Sequence, residues 1–338
     1  KPFDIFPREN TSLFLYWNAD RSVAQGYRFS PLFSVERKQR EPRTLLVYVS
    51  NTGSDNVSVF NRVTDEMLTN IQVGREPRGI VVSPSGDRVY VVNRGSSDLS
   101  VIDTSNNRVL RTARLEFQSQ PEGLAITPDG SSLLVTYAAK NAVAFVDTFS
   151  LEVSSPIQVG SMPVDVAIDS DGRHAFVVNR LSNNVSVIDI GERQVIKTID
   201  VESNPRMIAL DSRRQRAYVA HYNSVHATVI SLTSLSVVKR LNVGAGATAI
   251  AVGPLGRRIY VAIEGARRVN IINPEINVSV GSIPTESLPS DLAVDPEGLK
   301  VYIVNSASDN LTVANSTSRR VERLVGVGSM PYRLDMRR

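Results

Sequence analysis

The chain contains no cysteine among its 338 residues. That excludes disulfide frameworks, Cys-ligated zinc, iron–sulfur clusters and cysteine nucleophiles. It leaves the compartment open, because an exported protein with a large core needs no disulfides. Histidine is nearly as scarce: His174, His221 and His226 are the only three, too few for a multi-histidine copper cluster. A Cys-x-x-Cys-His haem attachment, a Gly-x-Ser-x-Gly string and a Gly-rich phosphate loop ending in Lys-Ser/Thr are all missing. No apolar run approaches the roughly 20 residues needed to span a bilayer, and no basic-then-apolar leader stands at the start. The chain opens on Lys1 instead of Met. A processed product is therefore expected, exported to the periplasm, the extracellular space or the cell surface, with the cytoplasm as the other option. Charge is nearly balanced, 38 Lys and Arg against 34 Asp and Glu, for a net +4. A sum that small says little about partners until the positions of the charges are known.

What the chain has in abundance is one short string. It reads Tyr48-Val49-Ser50-Asn51, Tyr90-Val91-Val92-Asn93, Phe176-Val177-Val178-Asn179 and Tyr302-Ile303-Val304-Asn305. Weaker copies are Leu134-Val135-Thr136-Tyr137, Tyr218-Val219-Ala220-His221 and Tyr260-Val261-Ala262-Ile263. The seven copies are spaced by 42, 44, 42, 42, 42 and 42 residues. A fixed period decides the architecture before any local reading does.

Each repeat carries four short β-branched or aromatic segments bounded by Gly, Pro, Asn or Asp, which predicts four strands joined by hairpins. Pro128-Asp129-Gly130 and Pro296-Glu297-Gly298 supply a fixed φ followed by a residue free to take φ > 0. Asp103, Asp147 and Asp189, with Asn61, Asn273 and Asn315, recur after the third strand, where a short side chain can bond the next turn. Seven units of four antiparallel strands at this period predict an all-β, seven-bladed β-propeller. The first copy lacks an opening strand, while Gly328–Met336 repeats the pattern of Gly160–Ile168. The C-terminal strand is therefore expected to complete the first blade and close the ring.

The Tyr-Val-x-Asn strings, Asn56-Val57-Ser58-Val59, Asn184-Val185-Ser186-Val187-Ile188-Asp189 and the Val-Gly-x-x-Pro links resemble the YVTN family of β-propeller repeats over residues 44–338. That resemblance implies the fold and leaves function open. Similar proteins include surface or periplasmic binding modules of bacteria and archaea, a 6-phosphogluconolactonase-like group and propeller domains of redox enzymes. Residues 1–43 lie outside the repeat and hold the only tryptophan, Trp17, with Phe14, Tyr16, Tyr27, Phe29 and Phe33. They are read as an N-terminal arm packed on the propeller's flank, with the remnant of an upstream domain as the alternative.

Departures from the repeat are where function is sought. Where four copies carry Asn51, Asn93, Asn179 and Asn305, the others carry Tyr137, His221 and Ile263; where four carry Asn56, Asp98, Asn184 and Asn310, the others carry Ala142, His226 and Arg268. In a propeller these links surround the channel mouth, together with Glu264 and Arg267. Arg78, Glu122, Arg206 and Asp291 are placed at the starts of inner strands facing the same mouth, with Asp165 and Arg333 one residue further along. Such a set suits a small anionic or polyhydroxylated ligand. For lactone hydrolysis, His221 would act as base with Glu122 or Glu264, and an arginine would face the oxyanion. His221 and His226 lack a third ligand, so no metal is expected, and no cofactor either.

Charge is the second asymmetry. Residues 205–268 hold ten Lys and Arg against Asp211 and Glu264, a segment of +8 beside a remainder of −4. Arg213, Arg214, Arg216, Arg257 and Arg258, with Arg173 of the fourth repeat, are expected on the face opposite the irregular loops. There they could meet nucleic acid or another polyanion. The leading expectation is a monomeric, non-enzymatic binding propeller that presents its loops to a protein, glycan or small ligand. The alternatives are a lactonase-like hydrolase and a polyanion binder.

Overall fold

A computed structural model of the chain describes residues 13–17, 33–37 and 45–336. The chain divides into two units, Lys1–Pro42 and Arg43–Arg338. In the first, Leu13–Trp17 and Phe33–Arg37 pair as an antiparallel two-stranded sheet with Trp17 opposite Phe33. The remainder of the arm, and its expected packing on the flank, lie outside the described residues.

The second unit is a seven-bladed propeller, each blade a four-stranded antiparallel sheet. The turn chemistry acts where the repeat places it. Gly86, Gly130 and Gly298 take φ of 72°, 76° and 73° after their prolines, a region that L side chains rarely enter. Asn61, Asp103 and Asp147 each accept a backbone N–H from two residues ahead, at 2.8, 2.8 and 3.0 Å. Second and third strands, such as Arg88–Asn93 and Asp98–Asp103, are buried along almost their whole length. Each blade is covered on both faces by its neighbours, which explains their continuous apolar runs. Outer strands bury a single position, as in Glu66–Gln72 where only Ile71 is enclosed. The core is accordingly a set of apolar clusters between blades, for instance Leu46, Val57, Ile80 and Val91 between the first and second.

The C-terminal strand Pro331–Met336 pairs with Leu46–Asn51 and becomes the inner strand of blade 1, as the repeat arithmetic predicts. It buries Leu334 and Met336, each worth about 1.5–3 kcal/mol of transfer free energy. The seam between blades 7 and 1 carries further links. Arg62 pairs with Glu297 at 2.9 Å and Lys300 with Asp65 at 2.8 Å, and the Tyr302 hydroxyl donates to the Arg62 carbonyl at 3.2 Å. With the ring closed, the inner strands stand side by side around the channel.

Candidate functional site

The side chains gathered at the channel mouth come from three positions of the repeat. One is the residue just after the second strand, as in Arg94, Arg180, Tyr222 and Glu264. The others are the second and third residues of the inner strand. Every inner strand has a register irregularity at this point, for example between Pro121 and Leu124 or between Pro163 and Asp165. Such a bulge breaks strict alternation and re-aims side chains. Consecutive residues such as Tyr332 and Arg333 can therefore both turn to the charged groups.

Glu122 is the centre of one corner. Its side chain is 8% exposed, its Oε1 lies 3.1 Å from Arg94 Nε and its Oε2 lies 3.9 Å from Arg78 Nε. The Tyr332 hydroxyl donates to Oε2 at 3.4 Å, and the Arg78 guanidinium stacks 4.1 Å from the Tyr332 ring centre. Blades 1, 2 and 3 thus converge on one carboxylate.

Beside it is a buried ionic cluster. Arg333 of blade 1 reaches across the channel to Asp165 of blade 4, Nη2 to Oδ1 at 3.1 Å. Asp165 and Asp291 also tie neighbouring inner strands together, their Oδ2 atoms accepting the backbone N–H of Ile208 and Leu334, each at 2.9 Å. Burial pushes the Asp291 carboxyl up to about 6, against the opposing pull of Arg333 and two backbone N–H groups. Burial likewise raises Asp165 despite Arg333. For Arg333 burial disfavours the charge, but Asp165 and Asp291 outweigh it and hold the guanidinium above its ordinary value.

Of the residues singled out in the sequence, Arg78, Glu122, Asp291 and Arg333 meet in this assembly, and Arg206 and Glu264 face it from blades 5 and 6. Asp291 does not share the strand position of Arg78 and Glu122; it pairs opposite Val304 as Asp165 pairs opposite Val178, one residue further in. Arg94, Arg180 and Tyr332 were missed. Their signal was available, since Arg94 and Arg180 each follow the repeated asparagine.

The remaining candidates point elsewhere. Tyr137 is fully buried inside blade 3, its hydroxyl pushed up to about 12 by burial. His221 is also fully buried, with Nδ1 3.2 Å from the His226 carbonyl oxygen, and burial pulls it down to about 4. A neutral imidazole sealed within a blade cannot reach a lactone at the mouth, so the expectation of His221 as base is corrected. His226 stands 3.5 Å from Glu202, which Arg240 also binds at 2.8 Å. Arg267 is exposed at a loop tip, and Arg268 lines an outer groove of about 770 Å³ with Asn242, Asn270 and Ser282.

In the arginine sector, Arg214 is held by Glu275 at 2.9 Å and Asp211 at 3.4 Å, and Arg173 by Asp171 at 2.9 Å. Arg258 donates to the Ser316 carbonyl at 3.2 Å, Arg213 and Arg257 are exposed, and Arg216 is half-buried. Among the described residues no group of three or more His, Cys, Asp or Glu is placed to hold a metal ion, and no helix is long and apolar enough to cross a membrane.

Fold and mouth define a seven-bladed propeller whose channel opens on a carboxylate bracketed by arginines. Residues 40–123 match the family model described as lactonase, 7-bladed beta-propeller. That segment includes Arg78, Arg94 and Glu122. No curated protein matches the chain. Among solved structures, Kuenenia stuttgartiensis hydrazine synthase is similar at 22% identity and a TM-score of 0.69, over 76% of this chain and 88% of that one. A protein of unknown function from Desulfotomaculum acetoxidans DSM 771 is similar at 17% identity and a TM-score of 0.76, over 86% and 98%. Dihydro-heme d1 dehydrogenase NirN, in complex with DHE, is similar at 13% identity and a TM-score of 0.69, over 89% and 77%. At these identities the structures speak for the fold alone. The expectation of a non-enzymatic scaffold is nevertheless overturned, because the matched family is named for an enzyme and its match takes in the three charged residues of the corner, Arg78, Arg94 and Glu122.

Proposed function

We propose that the protein is a lactonase-like hydrolase whose chemistry takes place at the channel mouth. The observation that carries this reading is Glu122, held between Arg94, Arg78 and the Tyr332 hydroxyl, with Arg78, Arg94 and Glu122 inside the segment 40–123 that matches the lactonase family model. In the proposed step, the Glu122 carboxylate takes a proton from water as the water oxygen attacks the lactone carbonyl carbon. The carbonyl π electrons move onto oxygen, facing the Arg78 and Arg94 guanidinium groups. Collapse of the tetrahedral intermediate breaks the acyl–oxygen bond of the ring, and the ring oxygen leaves with the proton that Glu122 held. The product is the open hydroxy acid.

Membership of the YVTN repeat type, with export to the periplasm or cell surface, belongs to the same proposal and rests on the repeat strings. A panel of γ- and δ-lactones followed by acid release in a pH-stat tests the activity. Glu122→Gln is expected to lower kcat/KM by about 10²-fold or more. A parent protein inert on the whole panel, or a variant as active as the parent, would sink the reading.

A further inference from the structure

The repeat builds the same frame twice at the mouth and fills it differently. In the first frame, Arg94 follows Asn93 and meets Glu122, the second residue of the next inner strand, at 3.1 Å. Arg94 also donates from Nη2 to Gln120 at 3.1 Å, just before that strand's proline. Two blades on, Arg180 follows Asn179 and donates from Nε to Asn204 at 2.9 Å, and Asn204 stands where Gln120 stands. The residue in Glu122's place is now Arg206. A position that carries an ion pair between blades 2 and 3 carries two like charges between blades 4 and 5.

Among the described residues neither Arg180 nor Arg206 makes an ion pair, and the opposing charge of Glu264 acts on Arg206 less strongly than the repelling charge of Arg180. Arg206 Nε is buried with no hydrogen-bond partner, and its guanidinium lies 5.0 Å from the centre of the Tyr222 ring. Burial, followed by the Arg180 charge, holds Arg206 below its ordinary basicity. Two guanidinium groups in a half-buried corner repel one another unless an anion lies between them, and planar N–H forks suit oxygen anions best.

We propose that Arg180, Arg206 and Tyr222 form an oxyanion site that takes a carboxylate or phosphate group in the place of the missing glutamate carboxylate. The site does not require the hydrolase reading to hold. Its test uses the whole chain and inorganic phosphate, with the thermal unfolding midpoint followed at constant ionic strength set by chloride. The parent is expected to show a saturable rise with phosphate. Arg206→Glu rebuilds the pair found between blades 2 and 3. It should fold with a midpoint in chloride at or above the parent's, and bind phosphate at least about ten-fold more weakly. Arg206→Gln and Arg180→Gln should weaken the response too, and they decide the matter if Arg206→Glu does not fold. A flat response in the parent, or an undiminished one in the folded variants, overturns the site.

Phosphate added to a lactone assay then separates two sources of the anion. Competitive inhibition assigns the site to the substrate's own carboxylate or phosphate; a midpoint shift without inhibition assigns it to a free anion. Phosphate binding by a protein inert on lactones would fail the hydrolase reading alone. An active lactonase indifferent to phosphate would fail this one alone.

Discussion

Blades 1, 2, 4 and 7 differ from blades 3, 5 and 6 at one buried point. In the first group the second strand ends on Asn51, Asn93, Asn179 or Asn305, all fully buried. Asn93 Nδ2 donates to Asp98 at 2.6 Å and to Ser100 at 2.9 Å, pinning the second strand to the third, and Asn179 does the same with Asn184 and Ser186. The incoming link passes so close that a Cβ on Gly74 would lie 2.5 Å from Ser96 Oγ and 2.6 Å from Asn93 Nδ2. In blades 3 and 5 the asparagine has become Tyr137 and His221, and the residue in the glycine's place has become Glu116 and Glu202. Those glutamates turn outward to Lys140 at 3.4 Å and to Arg240 at 2.8 Å. Asparagine and glycine are therefore one structural unit in blades 1, 2 and 4. In blades 3 and 5 both have drifted together, whereas blade 6 keeps Gly244 beside Ile263 and blade 7 keeps Asn305 with Glu286 in the glycine's place, and neither drifted position is recruited to the mouth.

Three experiments bear on this comparison. Gly74→Ala should cost about 3 kcal/mol in urea unfolding, the upper end for overpacking a filled site. Gly265→Ala, in a drifted blade where nothing lies within 4 Å of the added carbon, should stay within about 0.5 kcal/mol. Equal costs would break the contrast. The second effect is pH dependence in blade 5. Burial holds folded His221 at about 4, below its ordinary 6.5. The unfolded chain therefore binds a proton that the folded chain refuses between those values. Stability from this group is full above 6.5 and declines as pH falls toward 4. Asp291, raised to about 6, contributes a slope of opposite sign, so the comparison is with His221→Gln. From pH 7 to pH 5 the parent should lose about 2 kcal/mol more than that variant. Parallel curves would show that His221 is not sealed. The smallest effect is a coupling. His221→Asn offers a donor to Thr228 Oγ1, which is buried without a partner, and Glu202→Gly reopens the link. A double-mutant cycle should give about 1 kcal/mol of favourable interaction, and strict additivity would dissolve the proposed unit.

Much of the fold was legible along the chain because propeller blades are local objects. The 42-residue period, the Pro-x-Gly turns and the Asp or Asn that closes the third strand in six of the seven blades act within a few residues of themselves, and each does what its chemistry suggests. Closure by Pro331–Met336 was legible for the same reason, as a leftover copy of the inner-strand pattern. The asparagines were harder to read. They resemble turn residues, yet they are buried pins, and so the substitutions Tyr137 and His221 looked like surface novelties when they are interior replacements. Asp291 belongs with Asp165, two residues after its proline, where Arg78 and Glu122 stand one after theirs, an offset the sequence already carries.

The mouth belongs to tertiary structure. Arg333 and Asp165 are 168 positions apart in the chain, and only a closed ring sets blade 1 opposite blade 4 at 3.1 Å. Similarly, the net charge of +4 conceals one corner where two arginines share Glu122 and another where Arg180 and Arg206 repel one another with no ion pair to either. Sequence alone determined the number of blades, their strands and the closing latch, because hydrophobic period and turn preference are short-range. Which charges meet, and which are left without a counterion, was decided by ring geometry, because Coulomb pairing depends on distance through space and not along the chain.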